Sequence, residues 1–230
     1  MNLFKRIWQS SLGKKYVMAI TGGILAIFVI GHMLGNLQVF LGPERIDACG
    51  YALQHAPILL WSARVGLLLT VVVHVVAAIQ LSHENSAARP IGYAHDRVVG
   101  ATYASRTMLM SGLIVTAFVI YHLLHFTART TAINLTGKNF AELVDPVGHF
   151  EIYRMMVLGF QQPLVSGFYI LGMALLCLHL RHGIASMAQS LGLRTPGNER
   201  FFAGLAWATA TVVFVGNCSI PIAVLCGFGS

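Results

Sequence analysis

The chain has 230 residues, of which 56% are hydrophobic and only 10% charged, and its formal net charge is +7. Soluble domains carry about 25% charged residues, so a soluble domain is excluded. The positive charge needs no nucleic acid to explain it, because the basic residues gather along one rim of a membrane protein.

Taken in chain order, Asn2 to Leu12 is mildly amphipathic, with Leu3, Phe4, Ile7 and Trp8 among Lys5, Arg6 and Gln9. Such a segment lies in the membrane interface. No charge then occurs between Lys15 and Glu44, which predicts a first span near 16–41. It is too long for the apolar region of a signal peptide and no small-residue cleavage site follows it, so it reads as a retained anchor. The loop from Gly42 to Pro57 has room for a short helix around Ile46 to His55. The charge-free stretches Arg64–Glu84 and Arg106–Arg129 predict spans near 58–82 and 106–128, joined by a polar loop with turn signals at Arg89-Pro90 and Gly92. The longest loop, Thr130 to Gln162, carries turns at Thr136-Gly137 and Asp145-Pro146. Spans near 163–190 and 201–226 follow, separated by Arg194-Thr195-Pro196-Gly197-Asn198. Each apolar stretch is long enough, or nearly so, for the roughly 20 residues that cross a bilayer, and runs of this length are helical. The expected fold is an all-α membrane protein, five transmembrane helices in one domain, 1–230, with no internal repeat and no low-complexity tract.

Lys and Arg set orientation. Lys5, Arg6, Lys14, Lys15, Arg89, Arg97, Arg106, Arg181, Arg194 and Arg200 fall on one side, and Arg45, Arg64, Arg129, Lys138 and Arg154 on the other. The richer side is the cytoplasmic one, which puts the N-terminus inside and the C-terminus outside. The basic rim can also face anionic lipid or a docked partner. The four cysteines, Cys49, Cys177, Cys218 and Cys226, form neither C-x-x-C nor C-x-x-C-H. A covalently attached c-type haem is thereby excluded, and the cysteines read as small packing residues.

Four of the five spans hold a histidine well inside the apolar stretch: His32, His74, His122 and His179. An imidazole in hydrocarbon is costly unless its nitrogens find partners. Depth follows from the helical rise of 1.5 Å per residue. It sets His32 and His122 toward the outside and His179 toward the inside; His74 is equidistant from Arg64 and Glu84, and falls in the inner half if Arg64 snorkels and the helix starts near Pro57. Paired imidazoles from two helices at one depth suit a planar macrocycle ligated on both faces, and haem b is the natural candidate. The two irons would then lie roughly 10–20 Å apart along the normal, making the chain an electron wire. Zinc fits poorly, since closed sites want four ligands and no span carries a carboxylate. Gly31, Gly35, Ala77, Ala78 and Gly183 flank these histidines and would make room for a porphyrin or for helix contacts. His125 and His182 lie three residues after His122 and His179 on nearly the same faces, and spacing leaves them open as ligands or, with Arg129 and Arg181, as partners of haem propionates. His55, His83, His95 and His149 read as solvated loop residues.

The segments Val-Ile-Gly-His32-Met-Leu-Gly-Asn, Val-Val-Val-His74, Phe-Val-Ile-Tyr-His122 and Leu-His179-Leu-Arg-His-Gly183 resemble the haem-ligand segments of the di-haem cytochrome b subunit of succinate:quinone oxidoreductase and fumarate reductase. Ser11-Leu-Gly-Lys-Lys-Tyr-Val-Met-Ala-Ile-Thr-Gly22 and Gly35-Asn-Leu-Gln-Val-Phe are similar to that family's first span. The resemblance runs from Ser10 to the last span. It implies that His32 and His122 ligate a distal haem b and His74 and His179 a proximal one, selecting His122 over His125 and His179 over His182. It implies a flavoprotein with covalent FAD and an iron–sulfur protein on the cytoplasmic face, with this chain as anchor and conductor to a membrane quinone, menaquinone rather than ubiquinone. It also implies the inner membrane of a prokaryote, and a higher oligomer of the complex is compatible with it. No dicarboxylate site falls on this chain. Some family members carry a glutamate two residues before the last ligand; Cys177 stands there, which puts any proton path at that point in doubt. Gln38, Glu44 and Trp61, or Ser11 and Lys15, are candidates for the quinone site, each also readable as an interface anchor. Rival readings are a cytochrome b anchor of a hydrogenase or formate dehydrogenase, and a haem-free transporter using histidine relays. A bc-type arrangement, with two ligands on each of two helices, is disfavoured because each span gives one deep histidine.

Overall fold

The computed structural model describes residues 3–88 and 103–229. The turns expected at Arg89-Pro90 and Gly92, and His95, lie outside the described residues. Helix α1 (Leu3–Gln9) gives way at Ser10 to α2 (Ser11–Asn36). The Gly13 N–H donates to Ser10 Oγ at 2.9 Å, closing the first turn as an N-cap. A Cβ at Gly13 would overlap the Ile7 carbonyl oxygen, so the bend between α1 and α2 requires glycine. Then α2 tightens into a 3-10 turn, Leu37–Leu41, and stops at Gly42, whose φ is 97°. Proline opens α3 (Pro43–Gln54), α4 (Pro57–Ala87) and α8 (Pro163–Ser190), where its missing N–H costs nothing. Helix α5 (Tyr103–His122) widens into a π turn, Leu123–Thr127. The long loop holds α6 (Thr131–Asn134), a 3-10 turn at Phe140–Glu142 and α7 (Ile152–Phe160), and the chain ends in α9 (Glu199–Leu225). Among the described residues there is no strand beyond the isolated bridge Val144–Phe150.

Five helical stretches are long and apolar enough to cross a membrane: Ser11–Leu41, Pro57–Ala87, Met108–Thr127, Pro163–Ser190 and Glu199–Leu225. They match the predicted spans with two informative differences. The first begins five residues earlier than 16 and the second continues past 82. Buried Lys14 forms an ion pair with Glu84, and Ser11 Oγ donates to Glu84 Oε2 at 3.3 Å. The charges that mark the ends of the apolar stretches are satisfied across α2 and α4, so both helices run on through them. Apolar side chains point outward along the bundle: Ile27, Ile58 and Val215 are 74%, 85% and 61% exposed. Hydrocarbon, not water, is the medium that suits such a surface.

Inside, α8 packs most extensively on α9. Ala206, Ala210 and Val213 meet Cys177, Leu180 and Ile184, and small side chains let the two backbones approach. A second cluster fills the end far from the N-terminus, where Val39, Ile46, Met156, Phe160, Val165 and Val224 join α3, α7, α8 and α9. There the Tyr153 N–H donates to Asp47 Oδ1 at 2.8 Å, so a side chain of α3 caps α7. Burial pushes the Asp47 carboxyl above its usual value, and the Tyr153 and Ile152 backbone N–H groups pull the other way. All four cysteines are free; Cys177 and Cys218 are buried, Cys49 and Cys226 exposed.

A Cβ on Gly172 of α8 would overlap the Phe118 ring of α5. Gly172→Ala is therefore expected to cost about 1–3 kcal/mol through overpacking, read as a lower thermal midpoint in detergent, and Phe118→Leu in that background should recover part of the loss. A second expectation concerns Asp145, whose Oδ1 accepts the His149 and Val147 N–H groups at 2.8 and 2.9 Å. Those bonds, His149 first, hold its carboxyl below the usual value. Their contribution to loop stability is present above the ordinary aspartate pKa and lost as pH falls through the lowered one. The protection of the His149 and Val147 amides, as hydrogen exchange relative to the intrinsic rate at each pH, should fall as pH drops through that acid range and stay level above it.

Candidate functional site

The four intramembrane histidines meet in two pairs. The His32 and His122 rings, on α2 and α5, have centroids 5.7 Å apart and planes at 85°. The His74 and His179 rings, on α4 and α8, are 6.5 Å apart at 75°. Phe28, one turn before His32, stacks on it at 5.4 Å; Phe118, one turn before His122, stacks on it at 6.5 Å.

The His74 and His179 rings, the pair nearer the start of α2 and termed inner for that reason, are seated alike. His74 Nδ1 is 2.9 Å from Thr21 Oγ1 of α2, and His179 Nδ1 is 3.2 Å from Ser111 Oγ of α5. The residue after each hydroxyl is a glycine under the imidazole. A Cβ on Gly22 would stand 3.3 Å from His74 Cε1, and one on Gly112 would stand 3.2 Å from His179 Cε1. His32 follows Gly22, and His122 follows Gly112, by ten residues. Along both helices the two levels are thus about 15 Å apart at 1.5 Å per residue.

This equivalence corrects the expectation of a chain without repeats. Thr21-Gly22 through Phe28-Val29-Ile30-Gly31-His32 and Ser111-Gly112 through Phe118-Val119-Ile120-Tyr121-His122 share one pattern, hydroxyl-Gly, then Phe-Val-Ile-x-His in the same register. Each half is a helix pair, α2 with α4 and α5 with α8, in which the first helix supplies an outer histidine and seats the inner histidine of the second. Thr21, Gly22, Ser111 and Gly112 are the site residues that patterning missed. Intrahelical back-bonding by Ser and Thr is common, so only their shared distance from a histidine could have marked them.

At the far end the π turn sets His122 and His125 apart. On a regular helix the two would share a face. The turn begins directly after His122 and carries His125 into a box of Tyr121, Phe126, Phe140 and Tyr169, fully buried. Tyr169 OH lies 3.0 Å from His125 Nδ1 and 3.4 Å from His122 Nδ1. His125 Nε2 and Arg129 Nε are buried without a hydrogen-bond partner among the described residues. Arg129 has φ 56°, sparsely allowed for a non-glycine residue, and its guanidinium lies 3.6 Å from the Phe150 ring centre. Burial, then the charge of Arg64, lowers its pKa. At the other end His182 is half-buried, beside Arg181, which covers Trp207 at 3.9 Å.

The donor set can be tested against a ligated metal. An imidazole nitrogen sits about 2 Å from the metal it binds and about 1 Å from its own ring centre, so two imidazoles on opposite sides of one ion have centroids about 6 Å apart. The observed 5.7 and 6.5 Å bracket that value. Hydrogen bonds at Nδ1 of the ring are also the usual accompaniment of ligation through Nε2. Among the described residues no three His, Cys, Asp or Glu side chains converge, so the histidines meet in twos.

Other expected site residues do not gather. Trp61 is exposed with Arg64 over its ring, Gln38 donates to Cys49, Glu44 and Lys15 are exposed, and Ser11 is held by Glu84. A cavity of about 410 Å³ at the far end is lined by Asp47, Lys138, Glu151 and Arg154 among others, and by none of those five. His55 and His149 flank the Tyr51 ring there, with centroids 3.8 and 4.1 Å from it, and His83 is exposed. No protein-family model, curated protein or solved structure matches the chain.

Proposed function

We propose that the chain is the di-haem cytochrome b anchor of a succinate:quinone oxidoreductase or quinol:fumarate reductase. The observation that carries this reading is that four histidines from four spanning helices meet in two pairs at ligation distance. His32 and His122 would hold the distal haem b, and His74 and His179 the proximal one. When bound, the haems supply one-electron carriers at two depths, between the iron–sulfur clusters of a cytoplasmic subunit and a membrane quinone.

The protein's own part is to hold and to insulate. Four helices fix the imidazoles, and Phe28 and Phe118 pack against the outer pair. Arg129, with a buried donor and a strained backbone, would pair with an acidic substituent at the distal level; such strain is the kind that functional sites store. The N-terminal side, rich in Lys and Arg, would face the cytoplasm of a prokaryote and dock the iron–sulfur and flavin-bearing subunits. Proton exchange belongs to the quinone, menaquinone by preference, at a membrane edge.

The purified complex should show a Soret band, low-spin haem spectra and two haems per chain by pyridine haemochrome. His74→Ala or His179→Ala should remove the proximal haem first, and His32→Ala or His122→Ala the distal one. His125→Gln and His182→Ala should keep both. A colourless protein, or one haem lost equally from all four alanine variants, would refute the assignment. A copurifying subunit with covalent flavin fits this reading, whereas nickel or molybdenum would point to a hydrogenase or formate dehydrogenase anchor.

A further inference from the structure

We infer that Thr21 and Ser111, each with its following glycine, are positioning residues that fix the tautomer and rotation of the two inner imidazoles. The inference rests on the haem reading of that pair and goes beyond it. A hydroxyl has one hydrogen to give. Thr21 Oγ1 gives it to the Val17 carbonyl at 2.7 Å, and Ser111 Oγ gives it to the Met108 carbonyl at 3.0 Å. With the hydrogen committed to its own helix, each oxygen can only accept. On that assignment of the hydroxyl hydrogens, His74 Nδ1 at 2.9 Å and His179 Nδ1 at 3.2 Å are the protonated nitrogens. The lone pair is then on Nε2 in both rings, the form an axial ligand needs.

Gly22 and Gly112 fix the remaining freedom. Each lies under the Cε1 edge that joins the two ring nitrogens, closer than a methyl group would comfortably allow. The hydroxyl holds one corner of the imidazole and the glycine lets its edge settle on the helix, so the ring cannot swing about Cβ without losing one or the other. The two seats are built from residues ninety positions apart, on different helices, with the same spacing to the outer histidine. That recurrence is independent of either hydrogen bond. The outer rings have no such seat: His122 has only the long contact to Tyr169, and His32 has no hydrogen bond among the described residues.

An accepted Nδ1–H gives the imidazole partial anionic character and favours the oxidised metal. The test uses the intact complex with Thr21→Val and Ser111→Ala, and with Thr21→Ser and Ser111→Thr as conservative partners. Redox titration and low-temperature EPR of the oxidised complex are read for both haems, assigned with the single-histidine variants above. Thr21→Val and Ser111→Ala should each raise the midpoint of the inner haem and move its g values, leaving the outer haem unchanged. The conservative pair should restore wild-type behaviour. Loss of the inner haem alone, reversed by Thr21→Ser, supports the same role. An inner haem present in full, with unaltered midpoint and g values in both hydroxyl-deleted variants, overturns the inference and leaves the haem reading intact; so does an equal shift of both haems. A wild-type complex without a Soret band overturns both.

Discussion

Hydrocarbon offers an imidazole nothing to bond to. Every nitrogen placed there must be answered by the protein or by what the protein holds. This chain answers the inner pair with hydroxyls whose own hydrogens are spent on helix carbonyls. The two rings face each other at one depth, their centroids 6.5 Å apart. Helix order, the placement of glycine and the crossing of α2 with α4 and of α5 with α8 all serve that arrangement.

The ion pair of Lys14 with Glu84 shows the same constraint at a membrane edge. A lysine almost wholly buried is costly unless a carboxylate meets it. Here it ties the start of α2 to the end of α4, the same two helices that Thr21 and His74 join further in. Fixing one contact helps to set the register of the other.

The five spans were legible because membrane crossing writes itself into charge: a helix bathed in water has no reason to run so far without Asp, Glu, Lys or Arg. Their ends were less so. Charge marks where a helix would leave lipid, but Lys14 and Glu84 neutralise each other across the bundle, and α2 and α4 continue past them. The histidines were legible as isolated polar residues in apolar runs, and their depths followed from counting. Their seats were not. Thr21 and Ser111 look like ordinary helix residues, and their meaning lies in a distance to another helix. The kinship of α2 with α5 was hidden for a related reason: most of the shared positions are Phe, Val and Ile, which any span contains. The separation of His122 from His125 needed the π turn, a change of winding that side-chain periodicity assumes away.

Beyond the outer histidines the two halves part company. After His32 the backbone narrows into a 3-10 turn, and after His122 it broadens into a π turn. The twofold likeness of the deeper level is therefore not carried outward: past the outer histidines one backbone is drawn tight and the other is slackened, so α2 and α5 leave that level along different paths.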